Sequence, residues 1–176
     1  MRHPDSRSEA VRNVGARVSR EPCGTLAITY SIEGDLARLR MPPARQPRIA
    51  QGLWQHTCCE CFIAVKGQPG YHEFNFAPSS EWCAHAFAKY RDGGPLADEA
   101  LRPNIAVRSG AGGFELDASI PLDRLSAMHP PASLALALSA VIEDEHGGLS
   151  YWALKHPPGK PDFHHRDSFV LQLESL

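Results

Sequence analysis

Cys58-Cys59-Glu60-Cys61-Phe62-Ile63-Ala64-Val65, a turn at Gly67 to Gly70, and then Tyr71-His72-Glu73-Phe74-Asn75-Phe76 decide the fold. Successive side chains of a strand point to opposite faces. Cys59, Cys61, Ile63 and Val65 therefore form one apolar row, and Cys58, Glu60, Phe62 and Ala64 the other. The second segment separates His72, Phe74 and Phe76 from Tyr71, Glu73 and Asn75. If the two segments pair as strands, Glu60 faces the row of Glu73 and Asn75, on a polar surface with rings beside it.

The same period continues on both sides. In residues 25–33, Leu26, Ile28, Tyr30 and Ile32 point one way, and Thr29, Ser31 and Glu33 the other, the pattern of a half-buried strand. Gly34-Asp35 reads as a tight turn and 36–41 as the returning arm of a hairpin. Residues 42–52 form a proline-bearing loop, and 53–65 one long, bent strand. Residues 82–90 make another strand, which Asp92-Gly93-Gly94-Pro95 stops. Strands at 105–108 and 114–120 flank a glycine loop, and 121–125 is a short helical turn with Pro121 early in it. Strands at 134–142, 149–153 and 168–173 follow, with a proline-rich loop at 156–165. About ten short strands and no helix of three turns predict an all-β chain. The expected fold is a two-sheet antiparallel, jelly-roll-like β-sandwich, one domain over 14–176 behind a flexible N-terminus, 1–13.

Composition narrows the function. The 176 residues suffice for one core. A net charge of -2 leaves no basic surplus to neutralise phosphates, so no nucleic-acid partner is expected. No stretch approaches the ~20 apolar residues of a membrane helix, so no membrane partner is expected either. The five cysteines are an odd number, three of them within residues 58–61, which is not a secreted disulfide framework. Residues 1–14 lack an apolar leader segment, and a reducing cytoplasm is the expected setting.

The polar row is the candidate site. Sugar hydroxyls need carboxylate acceptors and amides, and sugar C–H faces pack on rings. The expected ligand contacts are Trp54, Glu60, Tyr71, Glu73, Asn75, Trp82, Arg91, Trp152, Lys155 and His156. A solvated sheet face explains the same alternation without a ligand. Trp54 and Trp152 sit near strand ends, where a rim would be. Trp82 shares its row with Ala84, Ala86 and Ala88, which favours packing. Cys58-Cys59-Glu60-Cys61 fails the paired C-x₂-C zinc template, and no metal ligand or cofactor is assigned. No catalytic signature occurs, and Glu60 with Glu73 reads more readily as ligand acceptors than as a glycosidase pair, so no enzyme is expected.

The segments Leu53-Trp54-Gln55-His56-Thr57-Cys58-Cys59-Glu60-Cys61-Phe62-Ile63 and Tyr71-His72-Glu73-Phe74-Asn75-Phe76-Ala77-Pro78, followed by Trp82 and Tyr90-Arg91, resemble the DOMON-like domains. The resemblance extends to a closing Pro161-Asp162-Phe163-His164 segment and covers about residues 14–173. It points to a MurB-like subfamily of that group, related to family 9 carbohydrate-binding modules, although nothing resembles a flavin-binding domain. It implies a sandwich of two antiparallel sheets. Members of the wider group bind sugars, and some DOMON domains bind haem through a methionine and a histidine. The expected function is therefore a non-catalytic ligand-binding module for a carbohydrate or similar small polar ligand. A haem or redox DOMON domain, and a structural or protein-interaction domain without a ligand site, stay open as alternatives.

Overall fold

A computed structural model describes residues 1–175. Among them are twelve strands: β1 (Val11–Arg20), β2 (Thr25–Gly34), β3 (Arg48–Ile49), β4 (Cys58–Val65), β5 (Tyr71–Phe76), β6 (Glu81–Lys89), β7 (Asp92–Leu96), β8 (Asn104–Gly110), β9 (Gly113–Pro121), β10 (Leu134–Glu143), β11 (Leu149–Ala153) and β12 (Leu171–Leu173). One helical turn, α1 (Leu122–Leu125), follows β9 with Pro121 as its cap residue. The strands form two sheets, as expected. The smaller runs β1-β2-β9-β8. The larger runs β11-β10-β4-β5-β6-β3, with β12 also on β10 and β7 on β6. Pairing is antiparallel except between β3 and β6.

The core lies between the sheets and follows the alternation. Leu26, Ile28, Tyr30 and Ile32 of β2 meet Cys59, Cys61, Ile63, Phe74 and Phe76 of β4 and β5, all buried in one cluster. Each fully buried aliphatic side chain contributes about 1.5–3 kcal/mol relative to exposure. Thr29 and Ser31 point outward and bond Asp117 and Glu115 on the neighbouring strand.

Several local expectations are corrected. Residues 36–41 do not return as a hairpin arm. Asp35 caps a 3-10 turn, Leu36–Arg38, by accepting from the Ala37 amide at 3.1 Å, and the preceding strand pairs with β1 and β9 instead. Residues 53–65 are not one strand, because a 3-10 turn, Leu53–Gln55, precedes β4. Asp92-Gly93-Gly94-Pro95, read as a stop, belongs to edge strand β7. A Cβ at Gly93 would lie 1.9 Å from the Ala86 carbonyl oxygen, so glycine there permits the pairing. The last strand begins at Leu171, after a 3-10 turn at Arg166–Ser168.

The N-terminal expectation also differs from what is found. β1 was hidden by its arginines and Gly15, because it is an edge strand, where charge is common. Residues before it run along β11. The Met1 ammonium donates to the Ala153 carbonyl at 2.6 Å, and the His3 amide to that of Tyr151 at 2.8 Å. No helix among the described residues is long and apolar enough to cross a membrane.

Candidate ligand-binding cleft

The outer face of the larger sheet carries the expected polar row. Register places Glu60 opposite Asn75 on one side and Ser139 on the other, while Phe62 lies opposite Glu73. Because directly paired residues share a face, Glu60, Glu73, Asn75 and Ser139 form one surface. Across β5 and β6, Glu73 meets His85 and Tyr71 meets Phe87. A cleft of about 360 Å³ opens here, with the two glutamates and His85 lining it below Trp54, Arg91, Tyr151, Phe163 and His164.

Three loops supply the walls. The 3-10 turn Leu53–Gln55 starts from Gly52, whose φ of 78° is a left-handed conformation that glycine adopts freely. It brings Trp54, 42% exposed, edge-on to His85 at 5.9 Å between centroids. The tip between β6 and β7 holds Arg91 at φ 54°, a strained region for a side chain of this size. What holds it is visible: the Arg91 amide donates to the Tyr71 hydroxyl oxygen at 3.1 Å, and its guanidinium to Asp162 at 2.8 Å. The C-terminal loop then folds over the face. Phe163 and Phe169 pack on a second buried cluster of Phe62, Tyr71 and Ala137. This brings His164 Nε2 to 3.7 Å from Glu73.

Hydrogen bonds fix the floor. Asn75 donates to Glu73 Oε1 at 2.7 Å, and Ser139 donates to Glu60 Oε2 at 3.0 Å. Tyr71 accepts from the Arg91 amide, so its own proton is free for His164 Nδ1, 2.9 Å away. That arrangement leaves Nε2–H of a neutral His164 facing Glu73.

Electrostatics follow from burial. Glu60 and Glu73 are only 3% and 6% exposed. Burial, and next the charge of Glu73, pushes the Glu60 carboxyl up to about 8, and burial raises Glu73 as well. Burial, followed by the Arg91 charge, lowers His164 to about 4, and burial lowers His85. At neutral pH both imidazoles are therefore uncharged and Glu60 holds a proton. Such a floor can accept from and donate to hydroxyls, while the rings offer apolar faces.

The expected residues divide clearly. Trp54, Glu60, Glu73 and Arg91 line the cleft together. Asn75 is fully buried and orients Glu73, and Tyr71 orients His164 and Arg91 from behind. Trp82 and Trp152 are corrections: both point into the core between the sheets, at 0% and 5% exposure. Trp82 falls on the core parity of β6, and Trp152 pairs with Ala140 on the core parity of β10. His156 lies against the N-terminus, 3.1 Å from the Met1 carbonyl with its ring on His3, and exposed Lys155 also lies outside the cleft.

His85, Phe87, Val141, Tyr151, Pro161, Phe163 and His164 also line the cleft and are not among the expected ligand contacts. Counting alternate positions along β6 from Cys83 would have found the first two. Val141 and Tyr151 needed the pairing of β10 with β4 and β11. Nothing local marks the last three as covering a sheet. Of the cysteines, Cys59 and Cys61 face the core, whereas Cys83 lies opposite Asn75 on the cleft side, so the three do not converge. Met41 packs against the core and Met128 is exposed, and neither lines the cleft.

No family model matches the chain, and no curated protein does. Solved structures share its fold. A candidate carbohydrate-binding protein from Bacteroides uniformis ATCC 8492 superposes with a TM-score of 0.66 at 15% identity, over 89% of this chain and 75% of that one. A family 9 carbohydrate-binding module from Caldicellulosiruptor kristjanssonii, solved with cellotriose, gives a TM-score of 0.52 at 12% identity, over 86% and 70%. A module of that family and organism solved with glucose gives 0.51 at 12% identity, over 86% and 72%. The chain therefore has the two-sheet β-sandwich fold of family 9 carbohydrate-binding modules.

Proposed function

We propose that this chain is a non-catalytic module that binds a carbohydrate, or a small ligand equally rich in hydroxyls, in the cleft on the outer face of its larger sheet. One observation carries the reading. Two buried carboxyls, each held by one neutral donor through one oxygen, line a cleft together with Trp54, Phe87, Tyr151 and Phe163. A merely solvated sheet face would not bury them. The shared fold with modules solved with cellotriose and glucose supports it.

Trp54 would stack on the ring face of the ligand, Glu60 and Glu73 would bond its hydroxyls, and Arg91 would close one side. The kinship with DOMON-like domains and their MurB-like branch rests on sequence resemblance, in the segments that form the turn and strands of this cleft. Glu60 and Glu73 stay ligand acceptors in this reading, since no catalytic signature accompanies them in the sequence. Free, buried Cys58, Cys59, Cys61 and Cys83 suit a reducing compartment.

Isothermal titration against a panel of mono- and disaccharides tests this, with Glu73→Ala alongside. Saturable heat that the variant loses is the expected result. An inert panel, or a variant that responds like the parent, would reject it.

A further inference from the structure

Glu60 Oε2 and Glu73 Oε1 are engaged by Ser139 and Asn75, and no hydrogen bond among the described residues reaches Glu60 Oε1 or Glu73 Oε2. His85 is 8% exposed, and its Nδ1 is buried without a partner. Two carboxyl oxygens thus have no hydrogen bond in one cleft, with His164 Nε2 standing 3.7 Å from that of Glu73.

Charge points the same way. Cys58, Tyr71, Cys83, His85, Tyr151 and His164 surround the two carboxyls from β4, β5, β6, β11 and the C-terminal loop, and none of them brings a positive charge at neutral pH. Arg91 is the cation at the rim: its guanidinium bonds Asp162 at 2.8 Å, and its charge reaches both glutamates and favours their ionised forms. No cation among the described residues hydrogen-bonds either glutamate. In the empty cleft a proton on Glu60 relieves their repulsion.

An ammonium group has three N–H donors, no acceptor and a positive charge, so it complements this set better than a hydroxyl, which has one donor. We propose that the natural ligand carries a protonated amine, and is an amino sugar rather than a neutral one. This rests on the carbohydrate reading above. Trp54, Tyr151 and Phe163 suit a cation as well as a sugar ring, since their faces are negative. When the ammonium enters, Glu60 ionises and its proton leaves to solvent.

Titration of the full chain at about pH 7 with glucose, N-acetylglucosamine, glucosamine and ethanolamine tests this, in two buffers of different ionisation heat. Glucosamine should bind at least about tenfold more tightly than either neutral sugar, with proton release seen as a buffer-dependent heat. Glu60→Gln should bring that ratio close to one and abolish the proton release. Glu73→Gln provides a second near-isosteric variant should the first unfold. Neutral sugars binding as well as glucosamine would overturn the inference and leave the carbohydrate reading standing. Ethanolamine matching glucosamine while neutral sugars fail would uphold the charge preference and overturn the sugar. Silence from all four ligands would overturn both.

Discussion

The Tyr30 hydroxyl, from the smaller sheet, donates to the Glu60 backbone carbonyl of the larger one at 2.7 Å, fully buried. The bond crosses the core and ends on the strand residue whose side chain lies on the cleft floor. Core packing and cleft geometry therefore meet at one residue. Replacing Tyr30 by Phe leaves a buried carbonyl without this donor. We expect a loss of about 1–3 kcal/mol in urea unfolding. An unchanged midpoint would show that the bond contributes nothing.

The two glutamates make stability depend on pH in an unusual direction. A carboxyl whose folded pKa is raised binds more protons folded than unfolded, so stability falls as pH rises from its ordinary 4.5 to about 8, and then levels. Histidines act oppositely. His129 and His164, lowered to about 4 chiefly by burial, lose stability as pH falls from 6.5 through 4. Between about pH 6.5 and 8 the carboxyl slope remains, at most a few kcal/mol, opposed by the Met1 ammonium, whose pKa burial lowers from 8.0 and which adds stability as pH rises to that value. Glu60→Gln should flatten most of the carboxyl slope, as urea titrations at several pH values would reveal.

Trp54 and Trp82 should separate binding from folding. Trp54 is 42% exposed, so Trp54→Ala should weaken ligand binding by about tenfold or more while moving the unfolding midpoint little. Trp82 is fully buried, and Trp82→Ala should cost about 3–5 kcal/mol. Calorimetry and chemical denaturation on both variants check the contrast, and the reverse pattern would refute the placement of the cleft.

Gly93→Ala should loosen the β6–β7 edge. Its new methyl would sit 1.9 Å from the Ala86 carbonyl oxygen, closer than any real contact. The strand must shift, at about 1–3 kcal/mol, and Arg91 at the hairpin tip shifts with it. Faster amide hydrogen exchange in residues 84–96 is the expected readout.

Thiol labelling should see one cysteine in the native state. Cys23 is exposed and its hydrogen bond with Thr25 lowers its pKa, whereas burial raises Cys58, Cys59, Cys61 and Cys83. Rapid labelling of more than one thiol before denaturant is added would contradict the packing of β4 and β6.

Period-2 alternation in β2, β4 and β5 was enough to assign the all-β class, the core rows and the shared face of Glu60, Glu73 and Asn75. It also weighted Trp82 towards the core through its alanine neighbours. It failed for β1 and β7, where arginines and glycines masked edge strands that need few apolar residues. Trp152 was misplaced because its face depends on which strand β11 pairs with.

Alternation along one strand fixes only which side a residue takes, so the sequence alone determined the two-faced sheets and the polar row. Only the tertiary structure decided that loops from three distant parts of the chain turn that row into a cleft. Trp54, Arg91 and His164 arrive there through a 3-10 turn, a strained hairpin tip and a C-terminal segment seated on Phe62 and Tyr71. Those placements depend on packing between residues far apart in the chain, which no local pattern encodes.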